Sequence, residues 1–174
     1  QVWANFYGGS SGDVPKLIIP INNDFFYLIN ISNSHDGDVL CDIDNESNDI
    51  WIAKINSVGE IIWQSCYGSA GPDSPRAAIV TPDGGLLLMS RIHEGGGDVT
   101  NFYGRYDNWI IKLDSTGILE WETTLGTSEF DNGLKLLYTS FDTYIALCSV
   151  NGNGGNSECT LLNDPWDGND IWLV

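Results

Sequence analysis

Basic residues are scarce in this sequence. Seven Lys and Arg stand against 24 Asp and Glu, which gives a formal net charge of -17 at pH 7. Because such a charge repels the phosphates of nucleic acids and anionic membrane surfaces, we expect no nucleic-acid partner. The acidic residues are scattered along the chain rather than gathered in a tail, so most of them are expected to keep a folded surface solvated.

Long apolar runs and helical periodicity are also lacking. No apolar stretch approaches the ~20 residues that a helix needs to cross a bilayer, so we expect no membrane insertion. The 20 Gly and the many Asn and Asp indicate strands joined by turns, and the sequence predicts an all-β protein. Gln1 in place of an initiator Met suggests a processed chain or a fragment.

Cysteine is present but never in the C-x-x-C spacing that zinc sites use, which argues against a zinc knuckle. Two alternatives stay open: one or two disulfides in an exported protein, or buried free thiols at Cys66 and Cys148, which lie within apolar strand patterns. Spacing alone does not select a pairing among the four cysteines, which are Cys41, Cys66, Cys148 and Cys159.

Tryptophan marks an internal repeat. A first set, spaced by about 60 residues, opens three similar phrases, each with a Gly five residues later. A second set follows an aspartate by two residues in each copy. The chain is therefore three tandem copies of one unit. The first set is Trp3, Trp63 and Trp121, and the second is Trp51, Trp109 and Trp172, which follow Asp49, Asp107 and Asp170.

Each unit is predicted to hold four short strands. In the second copy the pattern places them at 76–81, 86–92, 109–113 and 118–125, joined in part by Gly-containing hairpin turns. The two middle strands are nearly continuous apolar runs, which indicates that both of their faces are covered. A four-stranded antiparallel sheet has both faces covered when it stacks with others around an axis, as in a propeller.

The predicted fold is therefore all-β and β-propeller-like, a single repeat domain over 1–174 with three four-stranded antiparallel blades. Blade 1 spans about 14–67, blade 2 about 74–125 and blade 3 about 132–174, completed by the N-terminal strand 2–7. Because propellers have at least four blades, we expect either a homodimer that closes a six-bladed ring or a fragment whose propeller needs the remainder of a longer chain.

Four phrases of the repeat carry a family resemblance. They are residues 7–10 with Asp13, residues 36–39, residues 81–85 and residues 107–114. Together they resemble the tandem repeats of exported and surface proteins of Bacteroidota, many of them type IX secretion cargo. The resemblance covers the whole chain and implies an extracellular or cell-surface propeller-like module, without one agreed activity. The third copy departs from it, because Asn156 stands where the others have Asp38 and Asp98.

Strand direction predicts where loops gather. If strands alternate up and down, the link to the next blade and the loop between second and third strands share one edge. Variable loops on a rigid scaffold are common binding sites, so we expect a non-catalytic extracellular binding or adhesion module for a glycan or protein ligand. The candidate ligand-binding residues are Trp166, Asp164, Asp167, His35 and His93.

Calcium is the cofactor that the acidic loops suggest. Asp36, Asp38 and Asp98, with Asp42 and Asp44 as further candidates, lie in flexible loops that could supply carboxylate oxygens. The alternative is that these residues form turns by accepting hydrogen bonds from nearby backbone N–H groups. The EF-hand ligand order is absent, so the alternative is favoured.

Catalytic motifs are missing. The sequence has neither the G-x-S-x-G nucleophile motif nor a phosphate-binding loop. Two alternatives to a binding module remain. One is a propeller hydrolase or lyase that acts on polysaccharide through paired carboxylates. The other is a structural segment of a long surface protein.

Overall fold

Strands alone make up the regular structure of the computed structural model, which describes residues 3–40, 48–139, 143–156 and 170–174. The described residues contain no helix, which confirms the all-β prediction, and none of their segments forms a helix that could span a bilayer. The strands are β1 (Asp13–Pro20), β2 (Phe25–Ser32), β3 (Asp49–Asn56), β4 (Ile61–Tyr67), β5 (Ser74–Val80), β6 (Leu86–Ile92), β7 (Asp107–Leu113), β8 (Leu119–Leu125), β9 (Asn132–Tyr138), β10 (Tyr144–Val150) and β11 (Asp170–Leu173).

The strands form three antiparallel sheets that follow the sequence repeat. Sheet 1 has the order β1-β2-β3-β4, sheet 2 has β5-β6-β7-β8, and sheet 3 has β11-β10-β9. Every strand therefore pairs with its neighbour in the chain. The strands of the second copy lie within two residues of their predicted bounds; β5 begins at Ser74 because Pro75, which has no N–H, is accommodated at a bulge between Pro75 and Ala77 on an edge strand.

Sheet 2 is covered on both faces, as its apolar runs predicted. Side chains of β6 and β7 point alternately to sheet 1 and to sheet 3, so both faces take part in apolar clusters. Toward sheet 1 they include Leu86, Leu88, Trp109 and Ile111, which pack with Tyr27, Ile29, Ile50 and Ile52. Toward sheet 3 they are Leu87, Met89 and Ile110, which pack with Leu136, Ala146 and Cys148.

The N-terminal segment differs from the prediction that strand 2–7 completes the third unit. Residues 3–10 form no strand, and within the described residues sheet 3 has three strands. The Trp3 indole N–H donates to the Ser57 carbonyl at 2.7 Å, and the Tyr7 hydroxyl donates to the Gly59 carbonyl at 2.7 Å. The segment therefore lies against the β3–β4 hairpin of sheet 1, because acceptors for both polar groups are there.

The two cysteines in the described part of the chain differ in state. Cys66, on β4, is disulfide-bonded. Cys148, on β10, is a fully buried free thiol, and burial raises its pKa to about 12. The disulfide alternative therefore holds for Cys66, and the free-thiol alternative holds for Cys148. Cys41 and Cys159 lie outside the described residues.

Candidate functional site

Three equivalent backbone braces join the loops at one end of the sheets. In each, a Gly N–H donates to the side-chain oxygen of a residue in the loop after the second strand, at 3.3, 3.0 and 3.0 Å. That residue's own N–H donates back to the Gly carbonyl. We call this end, with described residues 8–12, 33–40, 68–73, 93–106, 126–131 and 151–156, the loop edge. The braced pairs are Gly8 with Asp38, Gly68 with Asp98, and Gly126 with Asn156.

The third brace explains why the third copy of the repeat has Asn156 where the other two have an aspartate. Asn156 accepts from Gly126 as the aspartates do, and its Nδ2 also donates to the Thr124 carbonyl at 2.6 Å. An amide can therefore fill the position, because the role is hydrogen bonding to backbone rather than charge. This favours the interpretation of Asp38 and Asp98 as turn-forming residues.

Asp36 is also held by backbone. Its Oδ1 accepts from the Ser10 N–H at 2.6 Å, and the hydrogen bond from Ser10 lowers the pKa of the carboxyl. The described residues bring together no group of three or more His, Cys, Asp or Glu side chains with the spacing of a metal site. A calcium ion on Asp36, Asp38 and Asp98 stays a prediction, and Asp42 and Asp44 lie outside the described residues.

A second set of aspartates closes the loops that precede the first strand of each sheet. Each carboxylate accepts from the N–H of the residue four positions earlier, at 2.8, 2.9 and 2.5 Å. Burial raises the pKa of Asp73 to about 7, and the charges of Asp49 and Asp98 add to the effect. Burial also raises the pKa of Asp131. The set is Asp13, Asp73 and Asp131, which bond to Gly9, Ser69 and Thr127.

The glycine five residues after each tryptophan of the first set is required by close approach. A Cβ on Gly68 would lie 2.7 Å from the Asp49 carboxylate and 2.9 Å from that of Asp73. A Cβ on Gly126 would lie 2.2 Å from the Asp107 carboxylate. Asp49 and Asp107 therefore pack against these glycines, which indicates a structural role for both aspartates. Asp107 is buried, and burial raises its pKa to about 6.

Basic and aromatic side chains meet beside the loop edge, on the side of sheet 2 that faces sheet 3. The Arg91 guanidinium lies 4.8 Å from the centre of the Tyr106 ring, and the His93 ring lies 4.2 Å from the same ring. The charges of Arg91 and Arg76 both contribute to lowering the pKa of His93, after burial, which is the main cause. We call Arg76, Arg91, His93 and Tyr106 the arginine cluster.

A cavity of about 480 Å³, which we call the edge pocket, lies beside this cluster. Tyr106 connects the two, because its ring contacts Phe130 edge-on at 4.9 Å. Arg105 lies over the Phe130 ring at 5.3 Å and forms an ion pair with Glu129 at 3.4 Å. The edge pocket is lined by Arg105, Ser128, Glu129, Phe130, Asn151, Gly152 and Asn153.

Only part of the predicted ligand-binding set can be placed. His93 lies in the arginine cluster, whereas His35 is exposed in the loop after β2. Trp166, Asp164 and Asp167 lie outside the described residues. Sequence reasoning missed the arginines, although one signal was there: all three arginines of the chain, Arg76, Arg91 and Arg105, fall in the second copy.

Sequence comparison adds no relative to this picture. Compared with known protein families and with curated proteins, the chain matches none of them.

Proposed function

We propose that this chain is a non-catalytic extracellular binding or adhesion module that binds a glycan through the loop edge. In this proposal the three sheets are blades of a propeller-like fold. The contacts of β1 with β5 and of β5 with β9 support that arrangement, since the first strands of stacked blades meet near the axis. The observation that carries the proposal is the edge pocket.

The lining of the edge pocket suits a sugar. Phe130 leaves 40% of its surface exposed, and an exposed ring face can pack on the apolar face of a pyranose. Asn151, Asn153 and Ser128 surround it with amide and hydroxyl groups that can bond to sugar hydroxyls. The pocket is built on loops that the braces hold in place, so little ordering is required on binding.

Two further features support an exported module. A disulfide at Cys66 is expected in an oxidising compartment such as the cell exterior. The resemblance to Bacteroidota surface repeats suggests the same location. A calcium ion on the acidic loops belongs to this proposal as a stabilising ligand.

A binding role is favoured over catalysis by the position of the loop-edge acids. Asp73 and Asp131 have the raised pKa values expected of a general acid, but both are buried and bonded to loop backbone. A polymer in the edge pocket would not reach them. A purely structural segment would bind no ligand, so the same experiment separates that alternative.

The test is glycan-array binding of the chain, followed by titration with the best-bound glycan. We expect Phe130→Ala to weaken binding about tenfold or more, because the ring supplies the largest apolar contact of the pocket. Trp121→Ala is the matched control, since Trp121 on β8 is also 40% exposed and lies outside the pocket. Each titration is run with calcium and with chelator.

Two results would contradict the proposal. Release of shortened glycan products by the wild-type chain would show an enzyme rather than a binding module. Equal affinities of Phe130→Ala, Trp121→Ala and wild type, or no glycan bound at all, would exclude the edge pocket as a glycan site.

A further inference from the structure

Among the described residues, two arginines lack the carboxylate partners that Lys112 and Arg105 have. Lys112 contacts the carboxylates of Asp83 and Glu120 at 2.8 and 2.7 Å, and Arg105 pairs with Glu129. Within the described residues Arg76 and Arg91 form no ion pair, and the Nε atom of each is buried without a hydrogen-bond partner. Leaving partly buried charges unpaired is costly, and it is notable in a chain with 24 acidic residues.

The fold holds these two like charges close together. Arg91 on β6 pairs across the sheet with Ser74 on β5, and Arg76 is the extra residue at the bulge between Pro75 and Ala77. A bulge turns its extra residue out of the ladder and re-aims the side chain. Burial, and then the charge of Arg91, lower the pKa of Arg76. Arg76 and Arg91 stay close in spite of their repulsion because the register of β5 with β6 fixes their positions.

The aromatic ring beside Arg91 contacts its guanidinium without using the N–H groups that a ligand would need. The guanidinium lies 4.8 Å from the centre of the Tyr106 ring, a cation–π distance, and this contact does not use its N–H donors. Arginine donors bind carboxylate and sulfate oxygens in a forked geometry. The His93 ring also contacts the Tyr106 ring and adds an imidazole N–H donor rather than a positive charge, because burial and the neighbouring arginines lower its pKa.

From this geometry we infer that the arginine cluster binds the anionic group, carboxylate or sulfate, of an acidic glycan. The inference deepens the proposed function and rests on it, since Tyr106 joins the cluster to the edge pocket through Phe130. A sugar on Phe130 would then place its acidic substituent toward Arg91 and Arg76. The acidic net charge of the chain repels polyanions in general, so binding would depend on this one site.

The test compares acidic glycans with neutral counterparts. Polygalacturonate and its methyl ester form the carboxylate arm, and dextran sulfate and dextran form the sulfate arm. We expect the preferred acidic polymer to bind at least about tenfold more tightly than its neutral form at 0.15 M salt, and Arg91→Gln or Arg76→Gln to abolish that preference. The matched control is Lys16→Gln, because Lys16 occupies the same bulge position in β1 and is exposed.

A second measurement, the melting temperature, shows whether a variant is folded and also reports on anion binding. Relative to sodium chloride at equal ionic strength, inorganic sulfate is expected to raise the melting temperature of the wild-type chain more than that of Arg91→Gln, because the general stabilisation by sulfate acts on both chains alike. Equal binding of acidic and neutral polymers would overturn this inference and leave the glycan module standing. No binding of either polymer, with equal effects of sulfate on the wild type and Arg91→Gln, would overturn this inference, whereas the proposed function fails only if the glycan array also shows no binding.

A separate observation concerns residues 3–7, which contact sheet 1 as β4 contacts sheet 2. Trp63 donates to the Ser115 carbonyl at 3.0 Å and Tyr67 to the Gly117 carbonyl at 2.8 Å. Trp3 and Tyr7 make the same two bonds to Ser57 and Gly59. Residues 3–7 therefore occupy the place of a fourth strand, although no strand of the described chain pairs with them.

Sheet 3 has three strands within the described residues, so a fourth strand could pair with it at β11. Within the described residues β11 pairs with β10 alone, and Ile171 and Leu173 on β11 are largely exposed. Phe6 is 98% exposed, whereas Cys66, at the equivalent position of β4, packs toward Trp51. We propose that residues 3–7 of a second copy of this chain pair with β11 and bury Phe6, as the fourth strand of sheet 3.

The solution mass tests this second proposal. The 19.1 kDa chain is expected to elute at about twice that mass in light-scattering chromatography, and Phe6→Asp is expected to return it to 19.1 kDa. Asn23→Asp, which adds the same charge in the exposed β1–β2 turn, is expected to stay dimeric. A wild-type mass of 19.1 kDa at about 0.1 mM, or a Phe6→Asp variant that stays dimeric, would overturn it.

Discussion

Replacing Trp109 by Ala is expected to lower the free energy of unfolding by about 3–5 kcal/mol, the range for large buried side chains. Trp109 is 0% exposed and lies in the cluster between sheets 1 and 2. The truncation would leave a cavity at the centre of that interface. It would also remove the indole N–H that donates to Glu122 at 2.8 Å.

Trp121→Ala is the control for this prediction, with an expected loss below about 1.5 kcal/mol because Trp121 is 40% exposed. Urea denaturation of the two variants, monitored by far-UV circular dichroism, gives both free energies. Trp109→Phe is a third variant that keeps most of the apolar volume and loses the hydrogen bond. Equal losses in Trp109→Ala and Trp121→Ala would mean that sheets 1 and 2 do not share a core.

The contrast between these tryptophans shows what the sequence predicts well. Their spacing predicted three units, and the continuous apolar runs of β6 and β7 predicted two covered faces. Which tryptophan is buried did not follow from spacing. Trp109 lies on a middle strand between two sheets, whereas Trp121 lies on β8 at the sheet edge. The continuous apolar run that begins at Trp109, rather than the spacing, predicted that this tryptophan lies on a strand covered on both faces.

The candidate site was harder to predict for two physical reasons. Arg76 and Arg91 come together through cross-strand register and a bulge, and a single sequence does not locate a bulge. The loop aspartates were recognised as a repeated group, but their bonds to Gly8 and Gly68 depend on two loops folding against each other. Trp166, which was singled out on the sequence, lies outside the described residues.

Raising the pH from about 5 to 8 is expected to destabilise the fold, because buried carboxyls must ionise. Asp73 is 3% exposed and its pKa is raised to about 7 by burial, opposed by the bonds from Ser69 and aided by Asp49 and Asp98. In the unfolded chain an aspartate titrates near pH 3.9. The native state therefore binds more protons between about pH 4 and 7, and the stabilisation is lost as the pH rises through that window.

The size of the effect follows from the shift. Each pKa unit corresponds to about 1.4 kcal/mol, so Asp73 alone accounts for at most about 4 kcal/mol between pH 4 and 8. Burial of Asp107, whose pKa is about 6, acts in the same direction. Asp73→Asn is expected to stabilise the chain at pH 8 by a part of that amount, since an amide oxygen can still accept from the Ser69 N–H, as Asn156 accepts from Gly126.

Asp83→Asn is the matched control because its sign is opposite. The hydrogen bond from Lys112, followed by that from Thr81, lowers the pKa of Asp83 to about 2. Its contribution is therefore present above about pH 4 and is lost as the pH falls through 2. Since the Asp83 side chain is half exposed, solvent screening limits the cost of Asp83→Asn at pH 8 to about 1 kcal/mol or less.

Urea denaturation of wild type, Asp73→Asn and Asp83→Asn at pH 5 and pH 8, with chelator so that divalent cations do not shift the titration, measures both effects. We expect the pH dependence to shrink in Asp73→Asn and to stay in Asp83→Asn. If Asp73→Asn destabilises the chain equally at both pH values, the Asp73 carboxylate is ionised without penalty in the native state. Its bonds to Ser69 would then outweigh its burial, and the ionised Asp73 would stabilise the loop that precedes β5.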